Sequence, residues 1–127
     1  METLTKREEE IMQILWKIKR GVVNDVISEM EEPKPPYSTI SSIVRILEKK
    51  EFIGYKAYGK TYEYFPLISK AAYKAFMFKQ MIKNYFEGSY ENVVSFIADE
   101  KGLSERDIQD IKDIIDKKEE TENQKNE

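Results

Sequence analysis

Ile11, Ile14, Leu15 and Ile18 recur at the i, i+3, i+4, i+7 spacing of one buried stripe, which predicts a helix from about Lys6 to Lys19. Thr5, with Glu8 three residues on, makes a capping box at its start, and Gly21 supplies a stop. Met12 and Trp16 share a neighbouring face and read as core. Val26, Ile27 and Met30 predict a short second helix, about Val23 to Glu31, which Pro33-Lys34-Pro35-Pro36 ends. Ile40, Ile43, Val44 and Leu47 predict a third helix, about Ser38 to Lys50, with Ser38 as N-cap. The period then changes to two. Ile53, Tyr55 and Ala57 alternate on one face and Tyr62 and Tyr64 match them, so strands are expected at about Ile53 to Ala57 and Tyr62 to Phe65. Gly59-Lys60 is the tight turn between them, and Pro66 closes the second strand.

Beyond Ser69, a helix N-cap, the apolar residues become too dense for one stripe. Ala72, Tyr73, Phe76, Met77, Phe78, Met81, Ile82, Tyr85 and Phe86 all fall in one helix that ends near Phe86. A helix apolar on several faces has to bury more than one of them. Gly88 breaks the pattern; a helix of about Tyr90 to Asp99 follows, with Tyr90, Val93, Val94 and Ile97 on one side and Phe96 adjacent. After Gly102, Ser104 and Asp107 start a last helix to about Lys118 with Leu103, Ile108, Ile111 and Ile115 as its stripe and Ile114 beside it. Short amphipathic helices of this kind are marginal alone, so the region is expected to form a homodimer. Tyr73, Phe76, Met77, Ile82, Tyr90, Val93, Val94, Ile97, Ile108, Ile111 and Ile115 are the expected interface. Residues 119–127 carry no large apolar side chain and are expected to be disordered. The expected organisation is a head over 1–68, a helical dimerisation region over 69–118 and an acidic tail over 119–127.

Three helices followed by a hairpin with a basic tip define a winged helix-turn-helix, so the fold class is mainly α with a small β-hairpin (α+β). The exposed face of the third helix carries Ser38, Ser41, Ser42, Arg45 and Lys49, where an ordinary solvated face would hold Glu, Lys and Gln. Short hydroxyl side chains let a helix sit deep in a major groove, and its N-terminus favours phosphate. Lys60 stands at the hairpin tip with Lys56 near it. A serine-rich face without function and an ordinary exposed turn are the plainer alternatives.

Composition removes most other classes. The 127 residues include no Cys and no His, which leaves no disulfide, no thiolate metal site and no histidine base or ligand. No Gly-rich phosphate loop occurs among five glycines, so neither an enzyme nor a metal or cofactor is expected. The start of the chain lacks the apolar run of a signal peptide, and nothing approaches the ~18 apolar residues of a membrane span, which predicts a cytoplasmic protein. The net charge of −3 conceals an uneven distribution. Met1–Pro36 has 6 basic and 8 acidic side chains, Tyr37–Lys83 has 9 and 3, and Asn84–Glu127 has 6 and 13. The basic middle suits a phosphate-facing surface.

Several blocks carry a family likeness. They are Glu10-Ile-Met-Gln-Ile-Leu-Trp16, Ser38-Thr-Ile40 with Ile46-Leu-Glu-Lys-Lys50, the wing Tyr58-Gly-Lys-Thr-Tyr-Glu-Tyr-Phe-Pro-Leu-Ile-Ser69, and Leu103-Ser-Glu-Arg-Asp-Ile-Gln-Asp-Ile. Over Leu4 to about Lys118 the chain resembles the penicillinase repressor (BlaI/MecI) family of winged-helix transcriptional regulators. The resemblance implies a homodimeric repressor on a palindromic double-stranded operator, with the third helix in the major groove and the wing on the backbone. It assigns base reading to Ser38, Thr39, Ser41 and Ser42, where family members usually carry longer polar or basic side chains at two places. Arg45 then becomes the candidate for a bidentate guanine contact, with Lys49, Lys50 and Lys60 on phosphates and Thr61 beside the last. The resemblance also implies relief of repression by a membrane-bound sensor metallopeptidase. Ungapped matching puts the family's Asn-Phe cleavage bond at Phe96-Ile97, with Ser95-Phe96 as a shifted alternative. The cysteine motif of copper-responsive relatives is missing, which excludes copper sensing. A second reading is a winged-helix adaptor that binds protein rather than DNA, because Met1–Ile68 holds 11 basic and 11 acidic side chains.

Overall fold

The computed structural model describes residues 1–125, with the backbone alone at 115 and from 118 onward. Its order is α1 (Lys6–Ile18), α2 (Val23–Ser28), α3 (Tyr37–Lys49), β1 (Ile53–Tyr58), β2 (Thr61–Pro66), α4 (Lys70–Tyr85), α5 (Tyr90–Lys101) and α6 (Glu105–Lys125). These elements form two compact units, Met1–Met77 and Phe78–Glu127. The first is the winged helix-turn-helix that the patterning predicts. Ile11, Met12 and Leu15 of α1, Val26 of α2, Ile40, Val44 and Leu47 of α3, and Phe52 and Ile53 at the start of the wing are buried together.

Helix α1 begins with the expected capping box: Glu8 N donates to Thr5 Oγ1 (3.2 Å) and Thr5 N to Glu8 Oε1 (2.8 Å). Its end differs from expectation. Lys19 is the C-cap, at φ 75°, and its N–H donates to Leu15 O. Gly21 stands beyond, in a β-bridge: its N–H donates to Tyr64 O (2.9 Å) and its carbonyl accepts from Tyr64 N (2.8 Å). A Cβ at Gly21 would lie 2.9 Å from Ile18 Cδ1 and 3.0 Å from Asp25 Cβ. The glycine therefore serves close approach between α1 and α2 while its backbone bridges to the wing, not helix termination.

Helix α2 stops at Ser28, short of the expected Glu31, because the chain tightens into i→i+3 bonds from Glu29 N to Val26 O and Met30 N to Ile27 O. Helix α3 starts at Tyr37, with Pro36 at φ −62°, ψ 146° as N-cap. Ser38 thus lies inside the first turn and is not the cap. The hairpin pairs Tyr55 with Tyr64, Ala57 with Tyr62 and Tyr58 with Thr61, the expected facing register extended by one pair toward the tip. Gly59 takes φ +63° there, and Pro66 is the last residue of β2, a position that needs no ladder donor.

The first unit runs past residue 68, where the boundary was expected, because the first turns of α4 complete its core. Tyr73 is 4% exposed, packs on Trp16 (5.9 Å between ring centroids) and Phe52 (6.0 Å), and its hydroxyl accepts from Leu4 N (3.0 Å). Trp16 Nε1 donates to Ile68 O (2.9 Å), and Phe76 and Met77 pack on the same cluster.

In the second unit α5 packs on α6, with Val93 and Val94 buried and Phe96 edge-on to Phe86 at 5.6 Å. Ser89 caps α5 by accepting from Asn92 N, and Gly102 ends it in the left-handed conformation. Ser104 and Asp107 cap α6 reciprocally, as their spacing predicts. The α6 backbone continues to Lys125, whereas disorder was expected over 119–127; of that stretch only the backbone is described, and 126–127 lie outside the described residues. Among the described residues no helix is long and apolar enough to cross a membrane.

Candidate nucleic-acid interface

Because Ile40, Val44 and Leu47 fix the inward side of α3, its remaining surface divides into rows. Tyr37, Ser41 and Arg45, at i, i+4 and i+8, form the row toward the wing. With Lys60, Thr61, Tyr62 and Tyr64 of the hairpin, and Val22, Val23 and Asn24 at the start of α2, they line an open hollow of about 280 Å³. Ser38, Thr39, Ser42 and Lys49 are exposed on the outer rows. Ser42 Oγ donates to Ser38 O (2.9 Å), so its proton is engaged within the helix.

The structure thus brings Ser41, Arg45, Lys60 and Thr61 around one hollow. Among the described residues, no carboxylate lies within ion-pair distance of Arg45, Lys49 or Lys60. Lys56 lies over the Tyr58 ring at 5.3 Å. The Tyr64 hydroxyl titrates above its ordinary value, first because of burial and then because of the Glu48 charge, with Arg45 opposing. Helix-pattern reading missed Tyr37 and Asn24 as lining residues. Tyr55 and Tyr62, 4.6 Å apart and both exposed, lie on the face expected from strand alternation, but that face is buried at Ile53 and Tyr64 and open toward the tip, a gradient that alternation does not state.

Lys50 departs from the expected phosphate contact. Its Nζ sits 2.8 and 3.2 Å from the Glu8 carboxylate oxygens and 3.1 Å from Glu2 Oε1, against α1. One residue turns a helix by about 100°, so Lys49 faces solvent while Lys50 comes round to α1. Glu8 is only 4% exposed. Burial raises its pKa, but the Lys50 hydrogen bond and those from Thr5 together outweigh that and hold it below the ordinary value. The same contact with Glu8, then that with Glu2, raises Lys50.

The residues expected at a dimer interface also separate. Tyr73, Phe76 and Met77 belong to the head core, and Ile82, Val93 and Val94 are buried. Ile108 and Ile111 are half-buried, Tyr90 and Ile97 are exposed, and the side chain of Ile115 lies outside the described residues. Exposed instead are Phe78 (47%), Met81 (38%) and Tyr85 (80%), at i, i+3 and i+7 of α4, together with Phe96 and Ile114. Part of each stripe buries internally, as at Ile82, Val93 and Val94, while Tyr90 and Ile97 stay open with the apolar surplus beyond the stripes. Ser95, Phe96 and Ile97 are exposed and lie mid-way along α5, within the helix expected there.

Comparison with known proteins fits this geometry. The family model described as penicillinase repressor matches residues 4–117. The chain is 28% identical over 116 residues to the methicillin resistance regulatory protein MecI of Staphylococcus aureus (strain N315), covering 91% of this chain and 94% of that protein. It is 27% identical over 116 residues to the protein of the same name from Mammaliicoccus sciuri, with the same shares covered. To the penicillinase repressor of Bacillus licheniformis it is 24% identical over 114 residues, 89% of each. With the family model spanning nearly its whole length, the chain belongs to the penicillinase repressor family.

Proposed function

We propose that this protein is a dimeric transcriptional repressor that binds a palindromic operator, with α3 in the major groove and the wing on the phosphate backbone. The observation that carries this reading is the hollow between α3 and the wing, where Arg45 and Lys60 have no carboxylate partner among the described residues. A hollow lined by Ser41 and Thr61 together with Arg45 and Lys60 suits the edge of a duplex, with Lys60 on the phosphate backbone and Arg45 within reach of a base. Arg45, Ser38, Thr39, Ser41 and Ser42 are then the groove-facing set. The names of the relatives, a repressor and resistance regulators, support the same class of activity.

Dimerisation is assigned to the Phe78–Met81–Tyr85 stripe with Tyr90, Phe96, Ile97 and Ile114, because so many exposed aromatic and aliphatic side chains on one small unit call for a partner. A two-fold dimer presents two heads, and a palindrome follows from that symmetry. Relief by a membrane-bound sensor metallopeptidase cutting at Ser95–Ile97 would need α5 to open locally, since all three residues are helical.

The test is an anisotropy titration of the full chain against duplex DNA from just upstream of its own gene, with sedimentation to give the oligomeric state. Specific binding of a dimer, weakening steeply with salt, is the expected result. A folded dimer that binds no duplex down to ~50 mM salt would overturn the reading in favour of a protein-binding adaptor.

A further inference from the structure

We propose that the edge of α3 formed by Thr39 and Ile46 reads the 5-methyl group of thymine, so that each operator half-site requires a T·A pair beneath it. This rests on the DNA-binding reading above and adds to it the kind of base that α3 selects away from the wing.

Ile46 is 45% exposed, the one large aliphatic side chain on α3 left open to solvent. It lies seven residues, or about two turns, from the exposed Thr39, on the same edge of the helix. That edge is opposite the row Tyr37–Ser41–Arg45 that lines the hollow. Between the two edges Ser42 gives its proton to the Ser38 carbonyl, which leaves it an acceptor only. The wing-side edge therefore carries a guanidinium, and the far edge offers methyl groups with one threonine hydroxyl.

The major groove is wide enough for a helix to contact base edges on both of its sides, and thymine alone among the bases presents a methyl group there. Opposite Ile46, the amino group of cytosine or adenine, or the acceptors of guanine, would lose water without gaining a partner. The edge thus favours thymine by apolar contact and disfavours the others by desolvation. Scattered apolar residues do occur on surfaces without a role. What distinguishes Ile46 is its place on the proposed recognition helix, two turns from a β-branched threonine on the same edge.

The experiment selects an operator from a random duplex library with the full chain, then replaces its thymines one at a time by deoxyuridine, which removes only the methyl. Affinity is expected to fall about four-fold at one step in each half-site, and about fifteen-fold when both are replaced, from the burial of one methyl each. Ile46→Ala, checked by its unchanged thermal melt, is expected to bind more weakly and to lose that thymine–uracil difference at that step alone. Equal binding of every deoxyuridine operator by the wild type, or the same discrimination retained by Ile46→Ala, would overturn the inference while leaving DNA binding intact. Failure to bind any duplex would remove the DNA-binding reading, and this inference with it.

Discussion

Two lysines that follow one another in the chain, Lys49 and Lys50, end up in opposite chemical settings. Lys49 is exposed with no carboxylate in reach among the described residues, as are Arg45 and Lys60. Lys50 is consumed by Glu8 and Glu2 at the far side of the head. In the sequence both count equally toward a basic stretch. In the fold one pole of α3 leaves its cations unneutralised and available for phosphate, while the other closes an internal ion pair. A formal charge balance of a head near neutrality therefore says little about its binding face, because the count does not distinguish a lysine paired as Lys50 is with Glu8 from one without a carboxylate in reach, such as Lys49 or Lys60 among the described residues.

The sharpest way to break this comparison is at the open pole. Arg45→Ala removes the cation that lines the hollow, and a bidentate base contact is worth about 1–3 kcal/mol. We expect operator affinity to fall about 10–100-fold per head by anisotropy, with an unchanged thermal melt. A loss of under two-fold would remove Arg45 from the interface and with it the distinction between the two poles.

At the closed pole the expected effect is on stability. Lys50→Met leaves Glu8 buried without its partner; after allowance for the partial exposure of Lys50, a cost of about 1–2 kcal/mol is expected in urea unfolding at neutral pH. The pH dependence has a definite sign. Glu8 titrates below its ordinary 4.5 in the folded protein, so its contribution is present above that pH and is lost as pH falls through the lower folded value. The wild type and Lys50→Met are therefore expected to differ most at neutral pH and to converge in acid below about 4.5. DNA affinity of the variant, measured well below its melting temperature, should match the wild type. If Lys50→Met instead weakened DNA binding without destabilising the fold, Lys50 would belong with Lys49.

How much of this was open to sequence reading depends on whether a residue's role is set locally. The capping box of Thr5 and Glu8, the Ser104–Asp107 cap, the facing register of the wing and the buried stripe of α3 are all short-range, and spacing states them. Gly21 was not legible, because its constraint comes from Tyr64, Ile18 and Asp25 together, which only tertiary structure assembles. Lys50 failed for the same reason: its partner lies 42 residues away. By pattern Tyr73 is surplus apolar surface on a C-terminal helix, yet it fills the head between Trp16 and Phe52, and the helix pattern carries no mark of which neighbour receives it. In the candidate site, the rows of α3 were visible from periodicity, whereas Tyr37 and Tyr62 joined it only once the hairpin folded against the helix.

A smaller effect separates positioning from reading at the open pole. Lys60→Ala, at the wing tip, should weaken binding a few-fold on operator and unrelated DNA alike and flatten the salt dependence by about 0.9 in log–log slope per head. A change confined to the operator would mean that Lys60 contacts a base.

The smallest predicted change concerns Glu48, a carboxylate on the wing side of α3. Glu48 is half-buried, and its charge, with that of Arg45, acts on the Tyr64 hydroxyl, so both stand near the wing side of α3. It forms no ion pair among the described residues, so its charge is not neutralised by direct contact and repels an approaching phosphate. Glu48→Gln keeps the side-chain shape and removes the charge. At 50–100 mM salt, where the Debye length is still about 10 Å or more, the variant should bind about two- to three-fold tighter, and the gain should vanish as salt shortens that length. Electrostatic origin is thereby separable from contact: a gain that persisted at high salt would mean that the introduced amide had made a new hydrogen bond. A loss of affinity would mean that Glu48 itself accepts from a cytosine amino group, moving base reading onto the wing-side edge of α3.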